Sequence, residues 1–249
     1  MRLVAIFLGY FVLVLLCRGC AREPARLPPS QLAPGVWGVL VSPDSKGSHA
    51  GVILLHGSMG WRTEFVDLAR IFSNNGFVVL TIDYYAETGR TPTGSFAKLE
   101  AWSGYQDAVR KAVEYLQSIP SVSGQPVGLV GFSRGAFLAI SIASSLPGVG
   151  AIVSFYGGGG GGPKSLEEDV QGLPPVLILH GDADAVVPVS FAYELRDAIV
   201  ASGGEAELHI YEGVGHSFNA PFVPGYSAKV ADDAYLRTFK FLRKRLISR

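Results

Sequence analysis

The pattern Gly131-Phe132-Ser133-Arg134-Gly135, the only G-x-S-x-G in the chain, is where covalent chemistry is most expected. It follows the apolar run Val127–Val130 and opens an amphipathic stretch over Gly135–Ser145, so it predicts a strand, a sharp turn and a helix. Such a turn exposes the central serine at the helix N-terminus, where the helix dipole favours negative charge. The two glycines predict that neighbouring backbone passes so close to positions 131 and 135 that no side chain fits there. The pattern therefore predicts a nucleophile at Ser133, the alternative being an ordinary strand-to-helix turn.

A serine hydroxyl is a weak nucleophile at neutral pH, so a base must accept its proton. His216 lies in the glycine-rich loop Gly213-Val214-Gly215-His216-Ser217, directly after the run Glu207–Tyr211. A flexible loop after the last strand can carry an imidazole over the serine. We therefore expect His216 to be the base, although a histidine in a surface loop would have the same sequence.

Two aspartates could orient that histidine and stabilise its charged form. Asp182 and Asp184 both follow the run Val176–Leu179, and Asp182 could instead cap the turn. His180, beside the strand end, is expected to be packed or hydrogen-bonded. Either aspartate yields the chain order serine, acid, histidine, which is the order of α/β-hydrolases.

An oxyanion hole for acyl transfer needs two backbone N–H groups. One is expected from Arg134, directly after the serine. The other is expected from the loop after the run Gly51–Leu55, with Ser58 as first choice and Met59 as second. Large apolar side chains near these loops are candidates for contacting a substrate, although each could equally belong to the core. They are Met59, Trp61, Phe132 and Tyr85.

Short apolar runs alternate with amphipathic stretches along the chain. Strands are predicted at Val36–Val41, Gly51–Leu55, Phe77–Ile82, Val127–Val130, Ala151–Phe155, Val176–Leu179 and Glu207–Tyr211. Helices are predicted at Glu64–Ser73, Gly104–Ile119, Gly135–Ser145, Phe191–Ala201 and Ala228–Leu246. This alternation predicts an α/β fold, a mostly parallel central sheet with helices on both faces and its site at the carboxyl ends of the strands. Ala21–Pro34 is expected to be a tether, and Pro163–Pro174 a loop.

Composition excludes several classes of function. Lysine plus arginine and aspartate plus glutamate number 21 each, so no net charge attracts nucleic acid. Both cysteines, Cys17 and Cys20, precede residue 21, which excludes disulfide scaffolds, thiolate zinc sites and a cysteine nucleophile from the rest of the chain. Pro163 after the glycine run Gly157–Gly162 breaks the pattern of a phosphate-binding loop. Composition therefore predicts no nucleic acid partner, no thiolate metal site and no phosphate-binding loop.

The N-terminus has the order of a secretory signal: one charge at Arg2, an apolar run over Leu3–Cys17, then small residues. Three fates are compatible with it: cleavage after Ala21, lipidation at Cys20, or retention as an anchor. The domain organisation expected is a signal or anchor over 1–21, a linker over 22–34 and a hydrolase domain over 35–249. The protein is expected to be exported, as a periplasmic, secreted or lipoprotein form, with the N-terminus serving as a membrane tether in the anchored forms.

From about Val36 onward, the chain resembles the dienelactone hydrolase family of α/β-hydrolases. The resemblance rests on Leu55-His56-Gly57, Asp83-Tyr84-Tyr85, the Ser133 turn, Phe155-Tyr156-Gly157-Gly158, His180-Gly181-Asp182-Ala183-Asp184 and the segment from Tyr211 to Phe218. It implies that Asp184 is the acid. It also implies a cofactor-free hydrolase of carboxylic esters or lactones that forms an acyl-enzyme. A thioesterase or peptidase using the same residues, and a tethered binding protein without catalysis, are the alternatives.

The chain departs from this family at three positions. Ser133 replaces the cysteine of the founding enzymes, and Gly57 replaces a glutamate. Glu87 stands where the family has an arginine that holds the substrate carboxylate, and Arg90, three residues later, is a candidate substitute. Dienelactone itself is therefore not the expected substrate.

Overall fold

The computed structural model describes residues 28–89, 99–122 and 124–247, and this part of the chain forms eight strands and six helices. The strands are β1 (Ser30–Ala33), β2 (Val36–Val41), β3 (Gly51–Leu55), β4 (Val78–Ile82), β5 (Val127–Phe132), β6 (Val149–Phe155), β7 (Val176–Gly181) and β8 (Ala206–Tyr211). The helices are α1 (Glu64–Asn74), α2 (Leu99–Ser118), α3 (Arg134–Ala143), α4 (Leu166–Asp169), α5 (Ser190–Ala201) and α6 (Ala228–Leu246). Every predicted strand and helix is present, although α2 begins at Leu99 rather than at Gly104.

All eight strands belong to one sheet, in the order β1-β2-β4-β3-β5-β6-β7-β8. The strands from β3 to β8 run parallel to one another, whereas β2 pairs antiparallel with β4 and β1 antiparallel with β2. The mostly parallel sheet predicted from the sequence is thus confirmed. Because the carboxyl ends of parallel strands meet at one edge, the loops after β3, β5, β7 and β8 converge there.

Two apolar layers cover the sheet, one on each face. On one face α2, α3 and α5 pack against the strands, with Trp102, Tyr105 and Leu195 among their buried residues. On the other face α1 and α6 provide the cover, with Phe72 and Leu242 fully buried. Strands β3 and β4 are buried along their whole length, which explains why every residue in them except Thr81 is apolar.

The first strand corrects the expectation that residues 22–34 form only a linker. Ser30–Ala33 pairs with β2, and Ala33 faces Val36 across a two-residue turn. Gly35 in that turn has φ +73°, and proline followed by a left-handed glycine is the pattern of a tight turn. The Pro34-Gly35 pair was therefore the signal for a hairpin, and the ordered sheet begins before residue 35.

A short helix corrects the expectation of a loop over Pro163–Pro174. Helix α4 begins after Ser165, whose hydroxyl accepts the Glu168 N–H at 3.3 Å, while the Glu168 carboxylate accepts the Ser165 N–H at 2.8 Å. This reciprocal pair is a capping box, readable in the sequence as serine followed three residues later by glutamate.

The N-terminal predictions fall on residues 1–27, which lie outside the described ranges, as do Cys17 and Cys20. Across those described ranges, no helix combines the length and apolar character required to cross a bilayer. Signal cleavage, lipidation and anchoring therefore stay predictions.

Candidate active site

Ser133 occupies the sharp turn between β5 and α3, with φ 53° and ψ −119°. Non-glycine residues seldom adopt a positive φ, and the strain is tolerated because the flanking glycines let the backbone pass closely. A Cβ on Gly131 would lie 2.5 Å from the Ala136 backbone, and one on Gly135 would lie 2.6 Å from the His56 carbonyl oxygen. The close approach predicted from the two glycines is confirmed.

His216 reaches Ser133 from the loop after β8. Its Nε2 lies 3.0 Å from the Ser133 Oγ, and its Nδ1 lies 2.7 Å from an Asp184 carboxylate oxygen, Oδ2. The carboxylate can only accept, so Nδ1 carries a hydrogen and Nε2 is free to accept the serine proton. The residues predicted as nucleophile, base and acid therefore form one hydrogen-bonded series.

Asp184 is fully buried at its side chain and is held from two sides. Its Oδ1 accepts the backbone N–H groups of Val186 and Val187, each at 2.8 Å, while Oδ2 receives His216 and lies 3.3 Å from His180 Nε2. Burial opposes ionisation, but the hydrogen bonds from His180, His216 and Val187 outweigh it and hold the pKa of Asp184 below its usual range. A charged carboxylate is thereby kept opposite the imidazole.

His180 and Asp182 support the site rather than form it. His180 is buried and donates Nε2–H to the Val187 carbonyl at 2.9 Å, as expected for a packed, hydrogen-bonded histidine. Asp182 is exposed, and its Oδ1 accepts the Gly213 N–H at 2.7 Å. We expected Asp182 to cap its own turn. Instead, its carboxylate stabilises the loop that carries His216.

Both segments predicted to supply the oxyanion donors lie close to Ser133. Gly57 to Gly60 form a tight turn closed by Gly60 N–H on the Gly57 carbonyl at 3.1 Å. A Cβ on Gly57 would lie 3.5 Å from the Ser133 Cβ, so the turn containing Ser58 and Met59 lies next to Ser133. Arg134 is the first residue of α3, so its backbone N–H lies at the N-terminus of that helix, directly after the serine.

A cluster of buried aromatic side chains, His56, Tyr84 and Tyr85, contacts that turn. The His56 ring stacks on Tyr84 at 3.8 Å, its Nδ1 donates to the Gly57 carbonyl at 2.8 Å, and its Nε2 lies 3.4 Å from an Asp83 carboxylate oxygen. Burial lowers the pKa of His56, with Asp83 opposing the shift. The Arg134 side chain donates to the Tyr85 hydroxyl at 3.0 Å and ties α3 to this cluster.

Sequence reasoning missed three residues that connect His216 to α6: Tyr156, Asn219 and Tyr235. Tyr156 has φ 41°, and its ring meets the His216 ring edge-on with centroids 4.7 Å apart. Its hydroxyl donates to Asn219 at 2.7 Å, and the Asn219 amide donates to Tyr235 on α6 at 2.8 Å. These contacts link His216 to α6, and the Phe155-Tyr156-Gly157-Gly158 motif contained the signal for Tyr156.

A cavity of about 910 Å³ opens beside Ser133 and His216, between α1, residues 217–226 and α6. Of the side chains predicted to contact substrate, Met59 and Phe132 line it. Trp61 and Tyr85 do not: the Trp61 indole donates to Thr81 at 3.1 Å, and Tyr85 is buried against Arg134. Their own hydrogen bonds direct both rings away from the cavity.

No group of three histidine, cysteine, aspartate or glutamate side chains suited to a metal occurs in residues 28–89, 99–122 and 124–247.

The family model of the dienelactone hydrolase family matches residues 36–246. The chain belongs to the dienelactone hydrolase family. The family resemblance drawn from the motifs is confirmed, and with it the assignment as a hydrolase of carboxylic esters or lactones.

The chain is also similar to individual proteins and to a solved structure. A protein of Synechocystis named as a carboxymethylenebutenolidase is 25% identical over 234 residues, covering 85% of this chain and 92% of its own. Human acyl-coenzyme A thioesterase 1 is 33% identical over 158 residues, which is 64% of this chain but only 34% of the human protein. The crystal structure of a dienelactone hydrolase from Klebsiella pneumoniae has a TM-score of 0.73 at 20% identity, covering 84% of this chain and 93% of that one, and supports the fold.

Besides Ser133, the structure describes the two other positions at which the sequence was expected to depart from the family pattern. A Cβ on Gly57 would lie 3.3 Å from the Phe132 carbonyl oxygen. Glu87 is exposed and accepts the Trp37 indole N–H at 2.6 Å, while its candidate substitute Arg90 lies outside the described residues.

Proposed function

We propose that this protein is a serine hydrolase that cleaves carboxylic esters or lactones through an acyl-enzyme. The observation that carries the proposal is the hydrogen-bonded series from Ser133 Oγ through His216 to Asp184, at the wall of an apolar cavity. The same geometry serves Ser-His-Asp enzymes on several unrelated folds.

In the first half-reaction, the Ser133 Oγ attacks the ester carbonyl carbon while His216 Nε2 takes the serine proton. Asp184 holds the imidazole in the tautomer with hydrogen on Nδ1 and stabilises the imidazolium that forms. Collapse of the tetrahedral intermediate breaks the bond to the alcohol oxygen, which receives the proton from His216. The acyl group is left on Ser133; with a lactone, the alcohol remains attached to it.

Negative charge on the carbonyl oxygen needs donors placed in advance. We assign this role to the backbone N–H groups of Arg134 and Ser58, with Met59 as the alternative to Ser58. The N-terminal end of α3 adds its dipole at the same position.

Water completes the second half-reaction. His216 Nε2 takes a proton from a water molecule, whose oxygen attacks the acyl carbon. The acid is released as His216 returns the proton to Ser133 Oγ. No redox step or cofactor is required.

Hydrolysis of p-nitrophenyl acetate by wild type, Ser133→Ala and Ser145→Ala tests the proposal. Ser145 follows α3 and donates to the Ile142 carbonyl, so it is a matched control for a lost hydroxyl. We expect turnover by wild type and by Ser145→Ala, and loss in Ser133→Ala. Labelling by a fluorophosphonate should likewise require Ser133. Full activity of Ser133→Ala would refute the assigned nucleophile, and an unreactive Ser133 would favour a binding protein.

Thioester hydrolysis is the second candidate, because the human relative of 33% identity is named as an acyl-coenzyme A thioesterase. The same acyl group presented as an oxygen ester, a thioester and a peptide would distinguish the candidates. We expect the highest kcat/KM on the ester. A thioester preference after correction for intrinsic reactivity would favour the second candidate.

We also propose export, on the basis of the charged residue, apolar run and small residues at the N-terminus. Expression of the full chain followed by N-terminal sequencing and mass spectrometry tests this. A mature chain beginning at Arg22 would indicate cleavage after Ala21. A lipid-modified Cys20 would indicate anchoring, and an unprocessed chain in the cytoplasm would refute the proposal.

A further inference from the structure

Exposed apolar side chains concentrate around one opening. The described residues include nine large apolar side chains that are exposed, and six of these line the cavity beside Ser133. They are Met59, Ile71, Val186, Phe222, Tyr226 and Leu236. Soluble proteins seldom expose contiguous apolar surface unless it binds something.

The cavity continues away from the serine as a groove between two helices. On α1, Phe65, Leu68 and Ile71 lie three residues apart and share a face. On α6, the lining residues run from Ala231 to Phe239. At 1.5 Å per residue these stripes are about 9 Å and about 12 Å long. At its inner end the groove meets Phe132, whose ring packs edge-on against Phe65 with centroids 5.7 Å apart.

The charged side chains along the groove are unsuited to an anionic ligand. Arg62 is the only lysine or arginine among the described lining residues, and it is engaged: its guanidinium lies 3.1 Å from Glu64 and 4.4 Å from the centroid of the Phe222 ring. The acidic side chains of the lining are Glu64, Asp67 and Asp232. A substrate carboxylate would meet acids and a cation that is already paired.

We propose that the groove holds an uncharged apolar chain of an ester substrate, extended from Ser133 between α1 and α6. At about 1.25 Å per extended carbon–carbon bond, grooves of about 9 to 12 Å accommodate about seven to ten carbons. This inference rests on the proposed function and narrows it to medium-chain esters, rather than small anionic lactones.

Chain-length dependence is the first test. Wild type is assayed on p-nitrophenyl acetate, butyrate, hexanoate and octanoate, and on butyrate esters of ethanol, butanol and octanol, all at monomeric concentrations. Each buried methylene contributes up to about fourfold in kcat/KM. We expect kcat/KM to rise on at least one side of the ester, by about a hundredfold over the series. A flat or falling dependence on both sides would overturn the inference while leaving the hydrolase proposal intact.

Charged substitutions in the groove test whether the dependence on chain length arises there. Ile71→Asp and Leu236→Asp place carboxylates on the groove at positions that are 45% and 67% exposed, so folding should tolerate both. Val200→Asp is the matched control, since Val200 is 56% exposed on α5 and does not line the cavity. We expect the octanoate-to-acetate ratio of kcat/KM to fall at least about tenfold in the groove variants and to stay at the wild-type value in the control. An unchanged ratio in both groove variants would overturn the inference.

Binding separates a failure of this inference from a failure of the proposed function. Octanamide and acetamide are uncharged, and calorimetry measures their binding to Ser133→Ala without turnover. We expect octanamide to bind and Leu236→Asp to weaken it in that background. If no ester is cleaved but octanamide binds in this way, the groove stands and the catalytic proposal falls. The groove assignment fails if neither amide binds. It also fails if Leu236→Asp leaves octanamide binding unchanged and alters only the self-association measured by sedimentation.

Discussion

Replacing Asp184 with asparagine tests the proposed mechanism most directly, because the change keeps the shape of the side chain and removes its charge. In the wild type, Oδ1 accepts the N–H groups of Val186 and Val187, and Oδ2 accepts the Nδ1–H of His216. The two backbone groups can only donate, so an asparagine must direct its carbonyl oxygen towards them. Its NH₂ group then faces His216.

An NH₂ group opposite Nδ1 favours the imidazole tautomer with its hydrogen on Nε2. That nitrogen lies 3.0 Å from Ser133 Oγ and can no longer accept the serine proton. The corresponding change in a Ser-His-Asp protease lowers kcat by about 10⁴, equivalent to about 5.5 kcal/mol of transition-state stabilisation. We expect Asp184→Asn to lose kcat/KM by about that factor on the best p-nitrophenyl ester.

Asp182→Asn is the matched control. Asp182 is exposed and uses one oxygen to accept the Gly213 N–H, a bond that an asparagine oxygen can also form. Both variants are assayed for kcat/KM, with circular dichroism confirming that each is folded. We expect Asp182→Asn to remain close to wild type. The reasoning fails if Asp184→Asn keeps more than about a tenth of wild-type activity, or if the two variants lose activity equally.

Three further substitutions report on packing and on a buried carboxyl elsewhere in the domain. Gly135→Ala should lower the unfolding free energy by about 3 kcal/mol, measured by denaturant titration, because the added methyl group would meet the His56 carbonyl oxygen. Asn219→Ala should lower kcat about ten- to hundredfold, more than it changes KM, because the loop holding His216 loses its link to α6. Asp169→Asn should change the pH dependence of stability: burial raises the pKa of this carboxyl to about 6, so the wild type loses up to about 3 kcal/mol as pH rises from about 4 through 6, and the variant should not.

Each of these expectations has an outcome that contradicts it. Wild-type stability of Gly135→Ala would show that α3 can move away from β3 without cost. Asn74→Ala, at an exposed position ending α1, is the control for Asn219→Ala, and equal kcat in the two variants would remove the positioning role. Parallel stability curves for wild type and Asp169→Asn between pH 4 and 8 would show that Asp169 carries no folding-linked proton.

Local sequence patterns determined the parts of the site that depend on neighbouring residues. The glycines at 131 and 135 predicted the turn at Ser133, because close backbone approach there excludes any Cβ. Apolar runs predicted the strands, and the common direction of parallel strands predicted that loops bearing Ser133, Asp184 and His216 would converge. Pro34-Gly35 was likewise a local signal for the hairpin of β1.

Tertiary structure decided what depends on side chains far apart in the chain. Asp182 and Asp184 are alike in sequence, but only Asp184 lies where two backbone N–H groups and His216 meet it. Trp61 and Tyr85 are as aromatic as Phe132, yet hydrogen bonds to Thr81 and Arg134 hold them away from the cavity.

The groove itself had no local signature. Its walls come from α1 and α6, which are separated by more than 150 residues, and each helix has the apolar stripe expected of any helix that packs on a sheet. The packing of the two helices on the sheet decides whether each stripe is covered by a neighbour or left open beside Ser133. The sequence alone could therefore predict a nucleophile at Ser133, whereas the shape and apolar character of the cavity beside it emerged only from the packing of distant elements.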